Sequence, residues 1–327
     1  MQTARTPKKI LITGVAGMIG SHLLDELIKT CHVIGVDNLS FGRRGNIAAH
    51  LTNPDFVFHE MDVSSFEGLK EIADGVQVII HLAARKKIAE ADSLIPTIES
   101  NCKGTENIFE VARAVGAKVI FASSSDVYGM SNDLPLCEDG DLTIGPNMIK
   151  RWSYAVSKLY GEQLAYAYYH DYGVPVVILR YFGAFSPRSS FSWSGGHIPI
   201  FIKAAMENSE MIIHGDGRQT RSMGFVSDLV NGTILAMEKP EAVGEIINIG
   251  NDEEMSVLDT AYLIHQLVNA GSPIKLKFMP MSEVFGRYKD IMRRVPDLSK
   301  AKRILGYSPQ VDLKKAICLT IDHLSAK

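Results

Sequence analysis

Ile10-Leu11-Ile12-Thr13-Gly14-Val15-Ala16-Gly17-Met18-Ile19-Gly20-Ser21-His22-Leu23-Leu24 is the stretch that decides the fold. It opens on a short apolar run, and from Ile19 to Lys29 apolar residues recur at helical spacing, with Leu23, Leu24, Leu27 and Ile28 among them. This is a strand passing into an amphipathic helix, with three glycines at and just beyond the turn. Glycine lets such a turn close tightly and lets the backbone approach a diphosphate, while the N–H groups that open the helix favour an anion. Asp37 follows Gly20 by 17 residues and ends the next strand-like run. A carboxylate there accepts from both ribose hydroxyls and repels a 2′-phosphate, so the pattern specifies a dinucleotide and favours NAD over NADP. Arg43 and Arg44, close by, read either as a solvated loop, the favoured reading, or as cations that blunt that preference.

Working outward, Lys9–Ile12, His32–Val36, Phe56–His59, Val76–His81, Lys118–Ser123 and Val176–Arg180 read as strands separated by helical patterns. Strands alternating with helices imply βαβ units and a parallel sheet buried on both faces, hence an α/β, Rossmann-type doubly wound fold. After Arg180 the rhythm changes. Residues 183–196 are rich in Gly, Ser, Pro and aromatics and read as a long loop of the kind that carries function. A strand at Met211–His214, a helix from Asp228 and a strand at Glu245–Ile249 follow, and from Val257 onward the pattern is mostly helical. The expected division is a dinucleotide-binding domain over 1–182 and 224–250. A smaller mixed α/β substrate-binding lobe takes up 183–223 and 251–327.

Composition narrows the function. The 327 residues carry 34 basic and 37 acidic side chains, a net charge of −3, which does not suit a protein that coats nucleic acid. The four cysteines, Cys31, Cys102, Cys137 and Cys318, contain no CxxC pair, so neither a disulfide framework nor a zinc knuckle is expected. No two of the ten histidines stand three or four apart, and no metal site is expected. The apolar run at the N-terminus meets Gly14 and Gly17 almost at once, and no run is long enough to span a membrane. A reducing, cytoplasmic compartment is the expectation.

Trp152-Ser153-Tyr154-Ala155-Val156-Ser157-Lys158 opens a helical stretch reaching Tyr169, and positions four apart share a face. An ammonium beside a phenol favours phenolate, drawing a pKa of ~10 towards neutrality. The positive charge of an oxidised nicotinamide adds to this. The result is a base that takes a hydroxyl proton as hydride leaves the same carbon. Surface helices produce this spacing by chance, so it carries meaning only beside the glycine turn. Phe121-Ala122-Ser123-Ser124-Ser125-Asp126-Val127-Tyr128-Gly129 ends another strand. In an open parallel sheet that end faces the ligand crevice, where a serine hydroxyl can bridge a substrate oxygen and the tyrosine. The serines equally suit capping of the following turn. No GxSxG elbow surrounds them, which disfavours a serine hydrolase.

Together these residues resemble the extended short-chain dehydrogenase/reductase family, specifically its nucleotide-sugar epimerases, decarboxylases and dehydratases, over essentially the whole chain. Thr13–Gly20 matches the family's TGxxGxxG, Asp62-Val63 its adenine-contacting pair, His81-Leu82-Ala83-Ala84 its fourth-strand motif, and Asn101 its structural asparagine. Lys86 stands where many epimerases have a cofactor-contacting lysine. Ser124 falls at the catalytic Ser/Thr, and Tyr154 and Lys158 match YxxxK. The resemblance implies NAD as cofactor, held by Gly14, Gly17, Met18, Ile19, Gly20, Asp37, Asn38, Asp62, Val63, Leu82, Ala83, Ala84, Lys86, Asn101, Tyr154, Lys158 and Tyr181. It implies catalysis by Ser124, Tyr154, Lys158 and Asp126. The nucleotide sugar, a UDP-sugar foremost, would be held by Ser125, by Arg221 in Gly215–Arg221, and by Arg287 and Asp290. Pro296-Asp297-Leu298-Ser299-Lys300-Ala301 is similar to the family's C-terminal signature. Family members commonly pair through two helices, here those of Asn101–Val115 and Tyr154, so a homodimer is expected; Tyr160, Leu164 and Tyr168 read equally as the apolar stripe of that pairing and as ordinary core. Two departures stand out: Gly183 replaces the family's asparagine, and Thr220-Arg221-Ser222-Met223-Gly224-Phe225 replaces TRDFxY.

All three family chemistries begin by oxidising C4 of the sugar. Dehydratases add Asp-Glu after the catalytic Ser/Thr, and Ser125-Asp126 lacks it. Decarboxylases carry Ser-Glu, one methylene away, and the run from Gly145 to Tyr154 also looks like theirs. Val177–Phe182 and Lys86 look more like 4-epimerases. The leading expectation is a 4-epimerase working through a 4-keto sugar, with a uronate decarboxylase second and a 4,6-dehydratase third.

Overall fold

The computed structural model describes residues 8–86, 93–191, 196–285 and 291–325. Arg287 and Asp290 lie outside the described residues. The first half runs β1 (Lys8–Thr13), α1 (Met18–Leu27), β2 (Cys31–Asp37), β3 (Phe56–Glu60), α2 (Phe66–Ile72), β4 (Val78–His81), α3 (Ile95–Val115), β5 (Lys118–Ser124), α4 (Trp152–Tyr172) and β6 (Val176–Tyr181). Beyond it come β7 (Ala184–Phe185), α5 (His197–Met206), β8 (Met211–His214), β9 (Thr220–Ser222), β10 (Gly224–Phe225), α6 (Val226–Glu238) and β11 (Ile246–Ile249). The chain closes with β12 (Glu254–Ser256), α7 (Val257–Asn269), β13 (Leu276–Met279), α8 (Met281–Phe285), α9 (Ser299–Leu305) and α10 (Leu313–Ser325).

Seven strands make one parallel sheet in the order β3-β2-β1-β4-β5-β6-β11. Successive side chains of a strand point to opposite faces, and here each face has its own core. Ile10 and Ile12 enter one cluster and Leu11 the other; Val78 and Ile80 separate from Ile79 in the same way, and Ile120 from Val119 and Phe121. That double burial is why these strands read as continuous apolar runs. The strand order reverses at β1, so the carboxyl ends of β1 and β4 open a crevice between diverging connections.

β8 is the strand expected at Met211–His214; its partner β13 and the short pairs β7/β10 and β9/β12 are the elements that sequence periodicity did not single out. Two to four residues are too few to show a period. Residues from α5, β8 and α7, among them Ile198, Phe201, Met211 and Ile264, join the same apolar cluster as Ile10 and Leu23. Among the described residues, no helix is long and apolar enough to cross a membrane, and no group of metal-ligating side chains assembles.

Helix α4 seats the site. Gly161 lies so close to the sheet that a Cβ there would stand 2.3 Å from the Phe121 ring, which brings the helix down onto β5. Tyr154, Ser157, Lys158, Glu162 and Ala165 are consequently buried on one face. Of the two readings of Tyr160, Leu164 and Tyr168, the core reading holds for two. Tyr168 packs into the core against Phe109, and Leu164 leans on the same cluster, leaving only Tyr160 of the three pointing outward.

Candidate active site

A trench runs along the carboxyl ends of the strands as two joined cavities of about 570 and 450 Å³, sharing Gly14, Gly17, Leu82 and Ala84. The first half is built on the glycine turn. Gly14 has φ +72°, and a Cβ on it would stand 2.9 Å from the Ala83 nitrogen; one on Gly20 would stand 2.2 Å from the Gly14 oxygen. Helix α1 starts at Gly17 with neither a side-chain cap nor an acidic residue in its first turn, so its opening N–H groups stay available for an anion.

Asp37, 7% exposed, faces this cavity from the end of β2. Its carboxylate accepts from the N–H groups of Ala16 (3.0 Å) and Leu39 (2.8 Å), and burial still pushes its pKa up. A carboxylate short of donors is suited to receive ribose hydroxyls. Gly42 was not singled out, although a Cβ there would stand 2.6 Å from that carboxylate. The Asn38 amide donates to Asp62 (2.5 Å), which also accepts from the Ser64 N–H (2.9 Å). Val63, Leu82, Ala83 and Ala84 line the wall. A cradle closed to any Cβ, an open helix terminus and a buried acceptor together fit a dinucleotide. Asn101 does not face the cavity. Its amide is fully engaged with the backbone of Arg85 (2.7 and 3.0 Å) and with Ser157 Oγ (2.9 Å), so it holds the loop after β4 rather than touching the cleft.

The second half gathers Met18, Ile19, Gly20, Lys86, Ser124, Ser125, Asp126, Tyr154, Lys158, Tyr181 and Arg221. Ser124 Oγ accepts from the Asp126 N–H at 3.1 Å and lies 3.4 Å from the Asp126 carboxylate, in the same cavity wall as Tyr154. Lys158 Nζ donates to the Ala122 carbonyl (2.6 Å). Tyr181 shares a 2.6 Å hydrogen bond with Thr233. Arg221 Nη1 donates to the carbonyls of Thr220 (2.7 Å) and Ile291 (2.8 Å).

The electrostatics differ from the helical-neighbour argument. Burial, and then the negative charge of Asp126, raise the Tyr154 pKa well above that of a free phenol. Burial also pulls Lys158 down to about 7, despite the raising effect of Glu162. Both groups share one water-poor niche, and each disfavours its own charge there. The niche by itself therefore disfavours the phenolate.

The largest surprise is Asp126. Its buried carboxylate meets Lys86 Nζ (2.7 Å), Arg151 Nη2 (3.0 Å) and Arg294 Nη1 (2.5 Å). Burial opposes ionisation, but the three cations outweigh it and hold the carboxyl well below its ordinary range. Among the described residues, three cations thus converge on this one carboxylate at the floor of the trench. Arg294 Nη2 is buried with no hydrogen-bond partner among the described residues. Neither arginine was singled out from the sequence. Arg151 had a signal, standing three residues before Tyr154, whereas Arg294 is one of a pair of adjacent arginines with no local mark.

The two departures prove to be one feature. A Cβ on Gly183 would stand 2.6 Å from Met223 Sδ, so the thioether occupies the place of a side chain at 183.

Comparison with known proteins agrees with this architecture. Residues 10–250 match the model of the NAD dependent epimerase/dehydratase family. UDP-N-acetyl-alpha-D-glucosaminuronate decarboxylase of Bacillus cytotoxicus is 37% identical, covering 96% of this chain and 97% of its own. UDP-glucuronic acid decarboxylase 1 of Xenopus tropicalis is 36% identical over 97% of this chain and 72% of its own. The structure of UDP-glucuronic acid 4-epimerase from Bacillus cereus, solved with UDP-glucuronic acid and NAD, superposes with a TM-score of 0.87 at 31% identity, covering 97% of this chain and 99% of that one. The glycine cradle and the Tyr154 niche thus sit on a sheet and sequence shared with these enzymes from end to end, and the chain belongs to the NAD-dependent epimerase/dehydratase family acting on nucleotide sugars.

Proposed function

We propose that the substrate is a UDP-sugar bearing a C6 carboxylate, and that the chain decarboxylates it through a 4-keto intermediate. The observation that carries this is the triply paired Asp126. A trench floor where three cations converge on one carboxylate, with Arg294 Nη2 buried and without a hydrogen-bond partner among the described residues, suits an anion beside the catalytic tyrosine. A neutral hexose offers none there; a uronate does. The decarboxylase relatives support the same reading.

When bound, NAD supplies the hydride acceptor and, after carbon dioxide has left, the hydride donor. Tyr154, as phenolate, takes the C4 hydroxyl proton, with Ser124 hydrogen-bonded between the phenol and the sugar oxygen. The product ketone lies β to the C6 carboxylate. The C5–C6 electron pair then moves towards the C4 oxygen as carbon dioxide departs, and the Tyr154 and Ser124 hydroxyls stabilise the enolate. Asp126 is held ionised by its three partners and is therefore no proton donor to C5; a water molecule fills that role. Because Asp126 already shares the three cations, the substrate carboxylate is recruited but not fully neutralised, and it remains free to leave.

A second reading, uronate 4-epimerisation, is supported by the likeness to the UDP-glucuronic acid 4-epimerase and keeps the same anion site. The deciding experiment incubates the protein with UDP-glucuronate and UDP-N-acetylglucosaminuronate, each 13C-labelled at C6, and follows products by NMR. Release of labelled carbon dioxide is expected. An inverted C4 with C6 retained supports epimerisation instead, and turnover confined to UDP-glucose and UDP-N-acetylglucosamine overturns the uronate reading. We also infer pairing of two copies through α3 and α4, where Ile98, Val156 and Tyr160 are exposed. Sedimentation should give twice the chain mass, and a monomer would refute the pairing.

A further inference from the structure

The loops after β2 and after β4 stand on either side of β1 in the sheet, so any contact between them passes over the carboxyl end of β1, where the glycine turn lies. One such contact exists. The guanidinium carbon of Arg85, on the loop after β4, lies 5.7 Å from the centre of the Phe41 ring, on the loop after β2. Both side chains line the dinucleotide cavity. Phe41 is 44% exposed, an unusual place for a phenylalanine unless something covers it. Arg85 Nε, by contrast, is buried with no hydrogen-bond partner among the described residues.

Both ends are anchored. Asn101 grips the N–H and carbonyl of Arg85 at 2.7 and 3.0 Å and takes its own position from Ser157, whose hydroxyl donates to the Tyr154 carbonyl at 2.8 Å. The Phe41 loop is held by the Arg43 N–H and the Asn46 amide, which donate to the Ala16 carbonyl at 3.0 and 2.9 Å. It also contains Leu39 at φ +55°, a left-handed conformation that a bulky residue adopts only when its surroundings impose it.

We infer that Phe41 and Arg85 form a clasp that closes over the adenosine-diphosphate half of NAD and slows its release. The ring gives the guanidinium a face to stack on, and the guanidinium brings positive charge over a doubly anionic diphosphate. A reaction that returns its hydride within each turnover gains from a cofactor that does not leave between turnovers. The inference rests on NAD dependence and not on which sugar reaction follows, so its test never uses a sugar.

The test uses the purified holoprotein. Dinucleotide per chain is counted after acid release, and dissociation is followed by chasing bound NAD with an excess of labelled NAD. Phe41→Ala and Arg85→Ala should each release NAD roughly tenfold faster, the scale of one partly desolvated cation–π contact. Phe41→Trp should restore slow release. Arg44 stacks on Phe58 at 5.4 Å outside the cavity, so Arg44→Ala should leave the rate alone and controls for loss of any surface arginine. Wild-type release from Phe41→Ala, or equal acceleration by Arg44→Ala, would overturn the clasp.

Discussion

Lys158 and Tyr154 share a niche that penalises charge on both. For Lys158 the penalty has a measurable consequence in pH. Burial lowers its pKa from 10.5 to about 7, so between those values the unfolded chain binds a proton that the folded chain does not. Stability therefore rises as pH climbs through that window, and the gain is absent below about pH 7, where both states are protonated. Lys158→Met removes the term. Melting temperatures measured from pH 6.5 to 9.5 should climb more steeply for the wild type than for this variant. Parallel curves would mean that Lys158 is not forced towards neutrality. The same burial explains why the helical spacing of Tyr154 and Lys158 was legible while their electrostatics were not: spacing shows adjacency, and desolvation depends on β5 and its neighbours.

Among the elements, the β1-turn-α1 unit divides its glycines by task. Gly20 is where the helix meets the turn, and a methyl group there would stand 2.2 Å from the Gly14 oxygen with no flexible atom to yield. Gly17 is looser, at 3.1 Å from the same oxygen. Gly20→Ala should cost on the order of 3 kcal/mol or more in denaturant unfolding and strip the bound NAD, whereas Gly17→Ala should cost about 1 kcal/mol. Equal losses would show that the turn relaxes freely. At the end of β4, His81 is wedged between Thr13 Oγ1 (2.7 Å) and Thr105 Oγ1 (3.1 Å), joining β1, β4 and α3. Burial, and then the charge of Lys158, lower its pKa from 6.5 to about 3. Its contribution is complete above pH 6.5 and is lost as pH falls towards 3, because the unfolded state takes up the proton first. His81→Asn should therefore lose stability less steeply than the wild type across that interval, whatever its stability at neutral pH. An unchanged slope in acid titrations of unfolding would exclude His81 as the acid-sensitive pin of this corner.

For the molecule as a whole, the doubly wound sheet was legible because each strand carries its own apolar signal and the first βα turn its three glycines. The anion site was not legible, because it is assembled across the chain. Arg294 reaches Asp126 from 168 positions away, Lys86 from 40 and Arg151 from 25. No local period or motif records that convergence; only the fold creates it. An anion held there should show in the stability of the entire protein. A ligand that binds the folded state alone stabilises it in proportion to the logarithm of its relative concentration, about 1.4 kcal/mol for each tenfold gain in affinity. UDP-glucuronate and UDP-glucose share the nucleotide and differ only at C6, so at equal concentration any difference in melting temperature reports the carboxylate. UDP-glucuronate should raise it further, by about 2 °C or more. Arg294→Met, which removes the unsatisfied donor, should bring the two shifts together. Equal shifts in the wild type would mean that the trench floor holds its positive charge for some purpose other than a substrate anion.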